Sequence, residues 1–224
     1  MGRRGFMARL KLGVLISGRG SNMAALIRAT ADPAFPAEIA IVISNRPDAG
    51  GLETAKAAGI ATCVVDHKAY QGREPFEAAI DAALDGAGVE LVCLAGFMRL
   101  LTAGFVERRL GRMINIHPSL LPAFKGLHVQ RQALDAGVRI AGCTVHFVTP
   151  DMDSGPILVQ AAVPVLPGDD EDSLGARILK AEHRCYPLAV RLIAEGQVRF
   201  AGDRAEITAR VDQGLALVSP ADDE

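Results

Sequence analysis

The chain has 224 residues, of which 50% are hydrophobic and 22% are charged, and its formal net charge at pH 7 is -2. This composition is ordinary for a soluble, cytoplasmic protein with a sizeable core, and it predicts one large α/β domain or at most two small ones. The charge gives no overall attraction for nucleic acid, and no apolar stretch approaches the length of a membrane span.

The first half of the chain alternates between strand-like and helix-like segments. Continuous runs of Val, Leu and Ile are typical of buried strands, whereas apolar residues at intervals of three or four are typical of helices. We expect strands at 12–16, 39–43, 61–65 and 89–94, and helices after residue 22, at 52–58, along Phe76, Ile80 and Leu84, and at 105–110. This order predicts an α/β fold with a mostly parallel, twisted sheet and helices on both faces.

The second half continues this pattern and adds two prolines that constrain it. Strands are expected at 113–117, 142–148 and 156–165, and a long helix at 174–195. Pro164 restricts the last strand to an edge or antiparallel position, and Pro187 should kink or divide the helix. The sequence contains no repeat or linker, so we expect one domain over 12–211, a flexible leader over 1–11 and a mobile tail over 212–224.

Asn115 and His117 form the most informative polar pair in the sequence. Successive side chains of a strand point to opposite faces, so these two share one face, with Cα atoms about 7 Å apart. A hydrogen-bond donor beside a group that titrates near neutrality suits chemistry at a carbonyl. Polar residues at a strand end can also merely satisfy backbone groups, and the spacing leaves both interpretations open.

The segment Ser17–Asn22, which reads SGRGSN, joins the first predicted strand to the first predicted helix. Free backbone N–H groups and the helix dipole favour an anion at such a position. Residue 23 is Met rather than the third glycine of a dinucleotide fingerprint, and no Gly-Lys-Ser/Thr follows. The loop therefore fits a single phosphate better than a pyrophosphate, and a purely structural tight turn is the alternative.

Asp153 lies in a predicted turn that leaves the carboxyl end of a central strand. Open α/β sheets bind their ligands at such ends, although most Asp residues in turns only cap the loop. An Asp beside His117 would favour the imidazolium form. The other histidines, His67, His128, His146 and His183, have no HxH or HxxxH spacing, so we interpret each as structural and expect no metal site. The four separated cysteines predict neither a zinc site nor a disulfide framework.

Four motifs occur in order and together resemble one enzyme family. They are VLISGRGSN at 14–22, LAGFMR at 94–99, NIHPSLLP at 115–122 and DSGP at 153–156. Over residues 12 to about 196 the chain resembles the phosphoribosylglycinamide formyltransferases. Several formyltransferase relatives share the Asn-x-His and SLLP elements. The GxGSN loop and the His-Pro-Ser sequence narrow the resemblance to this family. The resemblance implies a Rossmann-like formyltransferase fold.

The resemblance also implies an activity and a set of site residues. These enzymes transfer a formyl group from 10-formyltetrahydrofolate, a consumed co-substrate, to the amine of glycinamide ribonucleotide in de novo purine biosynthesis. No tightly bound cofactor, metal, nucleic acid or membrane is implied, and the chain would be a monomer or a homodimer. The matching catalytic residues are Asn115, His117 and Asp153. The substrate phosphate and nucleotide side matches Gly20, Ser21, Asn22 and Glu182. The folate side matches Arg73, Met98, Arg99, Leu100, Leu101, Asn115, Thr149, Pro150, Asp151, Met152 and Asp153.

The implied chemistry is direct attack of the substrate amine on the formyl carbon through a tetrahedral intermediate. Asn115 and protonated His117 would stabilise its oxygen, and Asp153 would favour the cation and assist proton movement. The chain departs from the family at Val129 and Gln130, where a small residue and often a second His are usual. The resemblance therefore leaves the local helix contacts there undefined.

The sequence alone leaves several alternative functions open. A formyltetrahydrofolate hydrolase would use similar residues but give the formyl group to water, and its relatives carry a further domain before the catalytic part. A tRNA formyltransferase would have a C-terminal RNA-binding domain and a basic charge. From another class, Met23 disfavours a nucleotide-binding oxidoreductase, and the complete Asn/His/Asp set disfavours a non-catalytic ligand sensor.

Overall fold

The structure is a computed structural model that describes residues 8–209 and residue 219. The predicted leader and tail therefore lie mostly outside the described residues. The main sheet consists of β1 (Leu10–Ile16), β2 (Ala37–Ser44), β3 (Thr62–Val64), β4 (Leu91–Leu94), β5 (Met113–His117), β6 (Ile140–Phe147) and β7 (Ile157–Pro164). A separate hairpin consists of β8 (Val198–Ala201) and β9 (Arg204–Ile207). The helices are α1 (Ser21–Thr30), α2 (Gly51–Ala57), α3 (Arg73–Gly86), α4 (Ala103–Arg108), α5 (Val129–Asp135) and α6 (Glu171–Ala194), with a 3-10 turn at His67–Ala69.

The main sheet has a parallel part and an antiparallel edge. Its strand order is β3-β2-β1-β4-β5-β6-β7. Neighbours from β3 to β5 are parallel, whereas β6 is antiparallel to both β5 and β7. The predicted mostly parallel sheet is confirmed, and so is the edge position of the strand that contains Pro164. The missing N–H of proline costs least at an edge, where one side of the strand has no partner.

Helices cover both faces of the sheet, as predicted. Along β1, Leu12, Val14 and Ile16 belong to one apolar cluster that includes residues of α1 and α6. The intervening Leu15 belongs to a second cluster, which includes Ile80 of α3. Because side chains alternate along a strand, each face of β1 contributes to a different core layer.

The carboxyl ends of β1 and β4 lie side by side at the point where the chain order reverses. From β1 the chain runs outward to β2 and β3, and it then returns to β4 on the other side of β1. Ser17 joins the two following loops, because its Oγ accepts a hydrogen bond of 2.7 Å from Met98 N–H. Open α/β sheets form a ligand crevice at such a reversal.

The long C-terminal helix α6 continues through Pro187, so the predicted division there is wrong. Proline removes one backbone hydrogen bond, but packing on both sides of it compensates for this loss. Tyr186 is fully buried, and its hydroxyl donates to the carbonyl of Leu94 at 2.9 Å. Ala189 and Val190 are also fully buried after the proline. The helix begins with a capping box between Asp170 and Ser173.

Helix α5 and the hairpin of β8 and β9 were not predicted from the sequence. Only Val129 and Ala133 of α5 are buried, which is too few positions to produce a recognisable helical period. The hairpin strands have four residues each, and Phe200 packs edge-on against Phe147 with ring centroids 5.4 Å apart. Within residues 8–209, none of the helices is long and apolar enough to span a membrane.

Candidate active site

Asn115 and His117 lie at the end of β5, where the parallel part of the sheet meets the antiparallel edge. The antiparallel register pairs Asn115 with His146 and His117 with Thr144. Asn115 Nδ2 approaches His146 Nε2 at 3.3 Å. The structure thus places the amide and imidazole of β5 beside a second imidazole on β6.

His117 is held from both ring nitrogens in a buried position. Its Nε2 lies 2.9 Å from the carbonyl oxygen of Phe124. Because a carbonyl only accepts, Nε2 carries a proton and donates it to Phe124. The other nitrogen, Nδ1, lies 3.6 Å from Asp153 Oδ2. A proton on Nδ1 would therefore face the Asp153 carboxylate.

Asp153 reaches this cluster because its loop has an unusual backbone. Its φ angle is 49°, in the left-handed region, and Gly126 N–H donates to its Oδ2 at 2.9 Å. Gly155 has no room for a side chain, since a Cβ there would lie 1.8 Å from the carbonyl oxygen of Phe147. The DSGP motif thus has a steric reason for its glycine. The structure brings together all three residues that the resemblance implied as catalytic.

His146 belongs to the same cluster, although the sequence favoured a structural role for it. Its Nδ1 donates to the carbonyl of Phe147 at 2.9 Å, and its Nε2 lies 3.8 Å from Asp153 Oδ1. Burial lowers the pKa of His146, which favours the neutral ring. In that state Nε2 accepts the hydrogen bond from Asn115 and fixes the orientation of the amide. Only the register of β5 and β6 could have identified this residue.

The SGRGSN loop forms an open helix N-terminus, as the sequence predicted. Gly20 has a φ angle of 70°, and no side chain caps the helix that follows. A Cβ on Gly20 would lie 3.2 Å from Gly51 Cα, so the loop packs closely against the start of α2. The first N–H groups of α1, from Ser21 onward, have no partner within the helix and can bind an anion.

Glu182 of α6 contacts this loop through Asn22. The Asn22 Nδ2 donates to Glu182 Oε2 at 2.7 Å, and both residues are buried. Burial raises the pKa of Glu182, while the hydrogen bond from Asn22 opposes that shift. Asn22 Oδ1 is buried without a hydrogen-bond partner in the described residues. A buried acceptor of this kind normally has a partner, so a hydroxyl or amine of a ligand would satisfy it.

The residues assigned to the folate side lie on exposed loops around the catalytic cluster. Met98 and Leu100 follow β4 and are each 65% exposed, and Met152 is 54% exposed in the loop before β7. Arg73 begins α3 on the surface, and Arg99 is also exposed.

Leu101 is half-buried, next to Thr102, whose N–H donates to Glu77 of α3 at 2.6 Å. Between Met152 and β6, Thr149 is half-buried, and Pro150 and Asp151 are exposed. Among the described residues, Arg73 has no hydrogen bond or ion pair with Asn115, His117 or Asp153.

The sequence led us to expect no metal site, and the residue types that bind metal ions can be located in the structure. In the described part of the chain, no group of three or more His, Cys, Asp or Glu residues is arranged to hold a metal ion. The four cysteines are free thiols, and three of them are buried. The polar groups that the structure brings together here are the Asn115 amide, the His117 and His146 imidazoles and the Asp153 carboxylate.

The sequence matches a known protein family over most of its length. Residues 10–190 match the family described as formyl transferase. The chain belongs to this family. The resemblance found in the four sequence motifs is therefore confirmed, as is the α/β formyltransferase fold.

Two kinds of relative of this formyl transferase are a trifunctional purine biosynthetic protein and a phosphoribosylglycinamide formyltransferase. The chain is 54% identical over 190 residues to the trifunctional purine biosynthetic protein adenosine-3 of Drosophila melanogaster, covering 84% of this chain and 14% of that protein. It is 45% identical over 187 residues to the phosphoribosylglycinamide formyltransferase of Escherichia coli strain K12, covering 84% of this chain and 88% of that protein. The chain thus spans about 14% to 20% of the length of the trifunctional relatives.

Solved structures agree with this assignment. The glycinamide ribonucleotide transformylase 1 of Symbiobacterium toebii superposes with a TM-score of 0.87 at 51% identity, covering 90% of this chain and 95% of that chain. The phosphoribosylglycinamide formyltransferase of Coxiella burnetii gives a TM-score of 0.85 at 40% identity, covering 89% and 94%. The formyl transferase fold is thus shared over nearly the whole length of both structures.

Proposed function

We propose that this formyl transferase moves the formyl group of 10-formyltetrahydrofolate to the amine of glycinamide ribonucleotide in purine biosynthesis. One observation carries the proposal: the buried His117, with the half-buried Asn115 and Asp153, lies at the same end of the parallel strands as an open helix N-terminus. The helix end suits the phosphate of the acceptor, and the cluster suits a carbonyl that becomes negatively charged. The names of the relatives support the same acceptor and the transfer of a formyl group.

The amine would attack the formyl carbon and form a new C–N bond while the carbonyl electrons move to oxygen. Asn115 Nδ2 and a proton on His117 Nδ1 are the donors available to that oxygen. A lost donor in a comparable site costs about 2.7–4 kcal/mol in barrier height. The carbon–nitrogen bond to the folate then breaks, and the amine proton passes to the folate nitrogen. Asp153, whose Oδ2 lies 3.6 Å from His117 Nδ1, can relay this proton through water.

The acceptor would be bound mainly by backbone and buried polar groups. The N–H groups that begin at Ser21 would hold the phosphate, with Gly20 allowing the close approach of the loop. The Glu182 carboxylate and the unpartnered Asn22 Oδ1 are acceptors for ribose hydroxyls. These contacts would place the amine at the catalytic cluster.

The folate would occupy the crevice between the exposed loops on the other side of the cluster. Met98, Leu100 and Met152 offer apolar surface for its flat ring, and their exposure leaves this surface available. Arg73 and Arg99 are cations for the carboxylates of its glutamate portion. Leu101, Thr149, Pro150 and Asp151 complete the proposed folate-binding set. The folate would be a consumed co-substrate, with no tightly bound cofactor.

The domain and assembly assignments are part of the same proposal. A single formyltransferase domain would begin at Leu10, where β1 starts two residues before the predicted boundary, and would extend to residue 211. The enzyme would work in the cytoplasm as a monomer or homodimer, without nucleic acid or a membrane.

One assay tests the activity directly. The purified chain is incubated with 10-formyltetrahydrofolate, with and without glycinamide ribonucleotide, and both the folate product and the formylated amine are quantified. We expect deformylation to require the amine and to yield one formylated product for each folate. Rapid deformylation without the amine would instead support a hydrolase, and no turnover under either condition would contradict both activities.

A further inference from the structure

The loop between β4 and α4, residues 95–102, is fixed near its start by Ser17, which follows β1. The Ser17 N–H donates to the carbonyl of Gly96 at 3.1 Å, and the Ser17 hydroxyl oxygen accepts a hydrogen bond of 2.7 Å from Met98 N–H. Gly96 has a φ angle of 75°, in the left-handed region, so the loop changes direction between these two contacts. One residue thus determines both the position and the direction of this part of the loop.

The Ser17 hydroxyl has a fixed direction because its proton is committed to Asn45. Ser17 Oγ donates to Asn45 Oδ1 at 2.5 Å. A serine hydroxyl has a single proton, so its lone pairs are left to accept from Met98 N–H. Ser17 is 5% exposed and Asn45 is 2% exposed. Hydrogen bonds that are linked in this way and shielded from water strengthen one another.

Asn45 is positioned in turn by His67, which lies in the 3-10 turn after β3. The Nδ1 of His67 lies 2.9 Å from the backbone carbonyl oxygen of Asn45. Because a carbonyl only accepts, Nδ1 carries a proton and donates it. The ring of His67 also packs edge-on against Phe76 of α3, with centroids 6.4 Å apart. The line of hydrogen bonds that starts at His67 thus ends at Met98 N–H.

The other end of the same loop is fixed by Glu77 of α3. Its carboxylate accepts a hydrogen bond of 2.6 Å from Thr102 N–H and another from the Thr102 hydroxyl. Glu77 is 2% exposed. Thr102 also caps α4, since its hydroxyl oxygen accepts a hydrogen bond of 3.3 Å from Phe105 N–H. Buried polar groups therefore hold the loop at both ends.

Between these two ends the loop presents exposed side chains. Met98 and Leu100 are each 65% exposed, and Arg99 is also exposed. An exposed side chain has few packing contacts that could fix its own backbone, so the position of the loop depends on its two buried ends. A loop that is already ordered loses less conformational entropy when it binds a ligand.

We propose that Ser17 and Glu77 are positioning residues that set the affinity of the loop 95–102 for the folate co-substrate. Asn45 acts through the Ser17 hydroxyl. This inference rests on the proposed function, which places the folate against this loop. Neither Ser17 nor Glu77 contacts the folate or the reacting atoms, since both act through the loop backbone. Their loss should therefore weaken folate binding while the rate at saturating substrate is retained.

Folate binding to the whole chain tests Ser17 and Asn45. Anaerobic isothermal titration with tetrahydrofolate gives the Kd of wild type, S17A, N45A and S17A/N45A. S17A leaves Met98 N–H without an acceptor and should raise the Kd about tenfold, whereas N45A only frees the hydroxyl to rotate and should raise it about threefold. Because both changes act on one interaction, the double variant should be no weaker than S17A. In steady-state kinetics, folate KM should rise with the Kd while kcat and acceptor KM stay within about threefold of wild type.

Ser44 provides the matched control for the loss of a buried hydroxyl. It is fully buried at the end of β2, one residue before Asn45, and its hydroxyl donates to the carbonyl of Arg46 at 2.8 Å. This hydrogen bond stays within its own segment and does not reach the loop 95–102. S44A should therefore leave the folate Kd unchanged, and thermal unfolding verifies that each variant is folded.

A pair of substitutions tests Glu77 at the other end of the loop. E77A removes both acceptors of Thr102, whereas E77Q retains one oxygen for the Thr102 N–H. We expect the folate Kd to rise about tenfold in E77A and less than about threefold in E77Q. A wild-type Kd in E77A would overturn the role of Glu77.

Hydrogen exchange at Met98 N–H is a second readout, and it does not depend on activity. This amide should exchange at least about tenfold faster in S17A than in wild type or S44A. Unchanged exchange, an unchanged folate Kd in S17A, or a rise in acceptor KM without a rise in folate KM would overturn the inference while the wild-type chain remains active. A wild-type chain that neither binds tetrahydrofolate nor transfers the formyl group would instead overturn the proposed function and this inference with it.

Discussion

The SGRGSN loop and the cluster of Asn115, His117, His146 and Asp153 are built differently. The loop is made of consecutive residues, and its proposed ligand contacts come from the backbone at the start of α1. The cluster is made of side chains from β5, β6 and the loop before β7, which come together only through antiparallel pairing. A backbone site should tolerate side-chain changes that a register-dependent site does not. Each prediction below tests this difference.

Among substitutions outside the proposed reacting groups, G155A has the largest expected effect, because it displaces the loop that delivers Asp153. The added Cβ would lie 1.8 Å from the carbonyl oxygen of Phe147, so the loop must move. A displacement of about 1 Å at a catalytic group can reduce turnover about a hundredfold. The control is G104A in α4, where a Cβ would be no closer than 3.6 Å to the Arg108 side chain. Steady-state kinetics should separate the two, and normal turnover in G155A would contradict the steric account.

A pair of substitutions in the loop separates backbone from side-chain binding. G20A forces a side chain onto a residue whose φ angle is 70° and brings a Cβ to 3.2 Å from Gly51 Cα. The left-handed conformation alone costs about 1–2 kcal/mol for a residue with a Cβ, so acceptor KM should rise about tenfold. S21A keeps the backbone N–H and should change KM less than about threefold. A larger effect in S21A than in G20A would show that the Ser21 hydroxyl is the main contact.

E182Q should lower acceptor affinity without loss of stability. The glutamine keeps an oxygen for Asn22 Nδ2, and its amide can donate to the unpartnered Asn22 Oδ1. Loss of the charged acceptor should weaken ribose binding about tenfold. Because burial raises the folded-state pKa of Glu182, its stabilising contribution is present below the unfolded pKa and is lost as pH rises through the folded value. The free energy of unfolding of E182Q, measured by denaturation, should therefore exceed that of wild type at pH 7 but not at pH 4. A lower value for E182Q than for wild type at pH 7 would contradict this.

The smallest predicted effect concerns His146 and pH. Its folded-state pKa is lowered by burial, so the unfolded chain binds more protons as pH falls below the ordinary value. The stabilising contribution of the neutral ring is present above that value and is lost as pH falls through the folded one. H146Q should show a weaker loss of unfolding free energy between pH 7.5 and 5.5 than wild type. Equal pH dependence in both proteins would show that His146 is not buried as a neutral ring.

The same comparison explains how much could be predicted from the sequence. Alternation in a strand predicts that Asn115 and His117 share a face, and the position of Gly20 to Asn22 between a strand and a helix predicts the open N-terminus. His146 was interpreted as structural because its partner across β5 and β6 depends on the register, which sequence spacing does not give. Asp153 reaches His117 through a left-handed backbone that no local pattern indicates. Pro187 predicted a kink or a division of α6, but the helix is not divided, because Tyr186 and Val190 are buried on either side of the proline.

The central claim is that Asn115 and His117 act on the reacting formyl oxygen. The most direct test is the single-turnover rate of H117A with saturating 10-formyltetrahydrofolate and acceptor, together with the folate Kd of the same variant. Loss of a donor worth about 2.7–4 kcal/mol predicts a rate reduced 10²–10³-fold, with folate Kd changed less than about twofold. A near-normal rate, with the chemical step limiting, would contradict the claim.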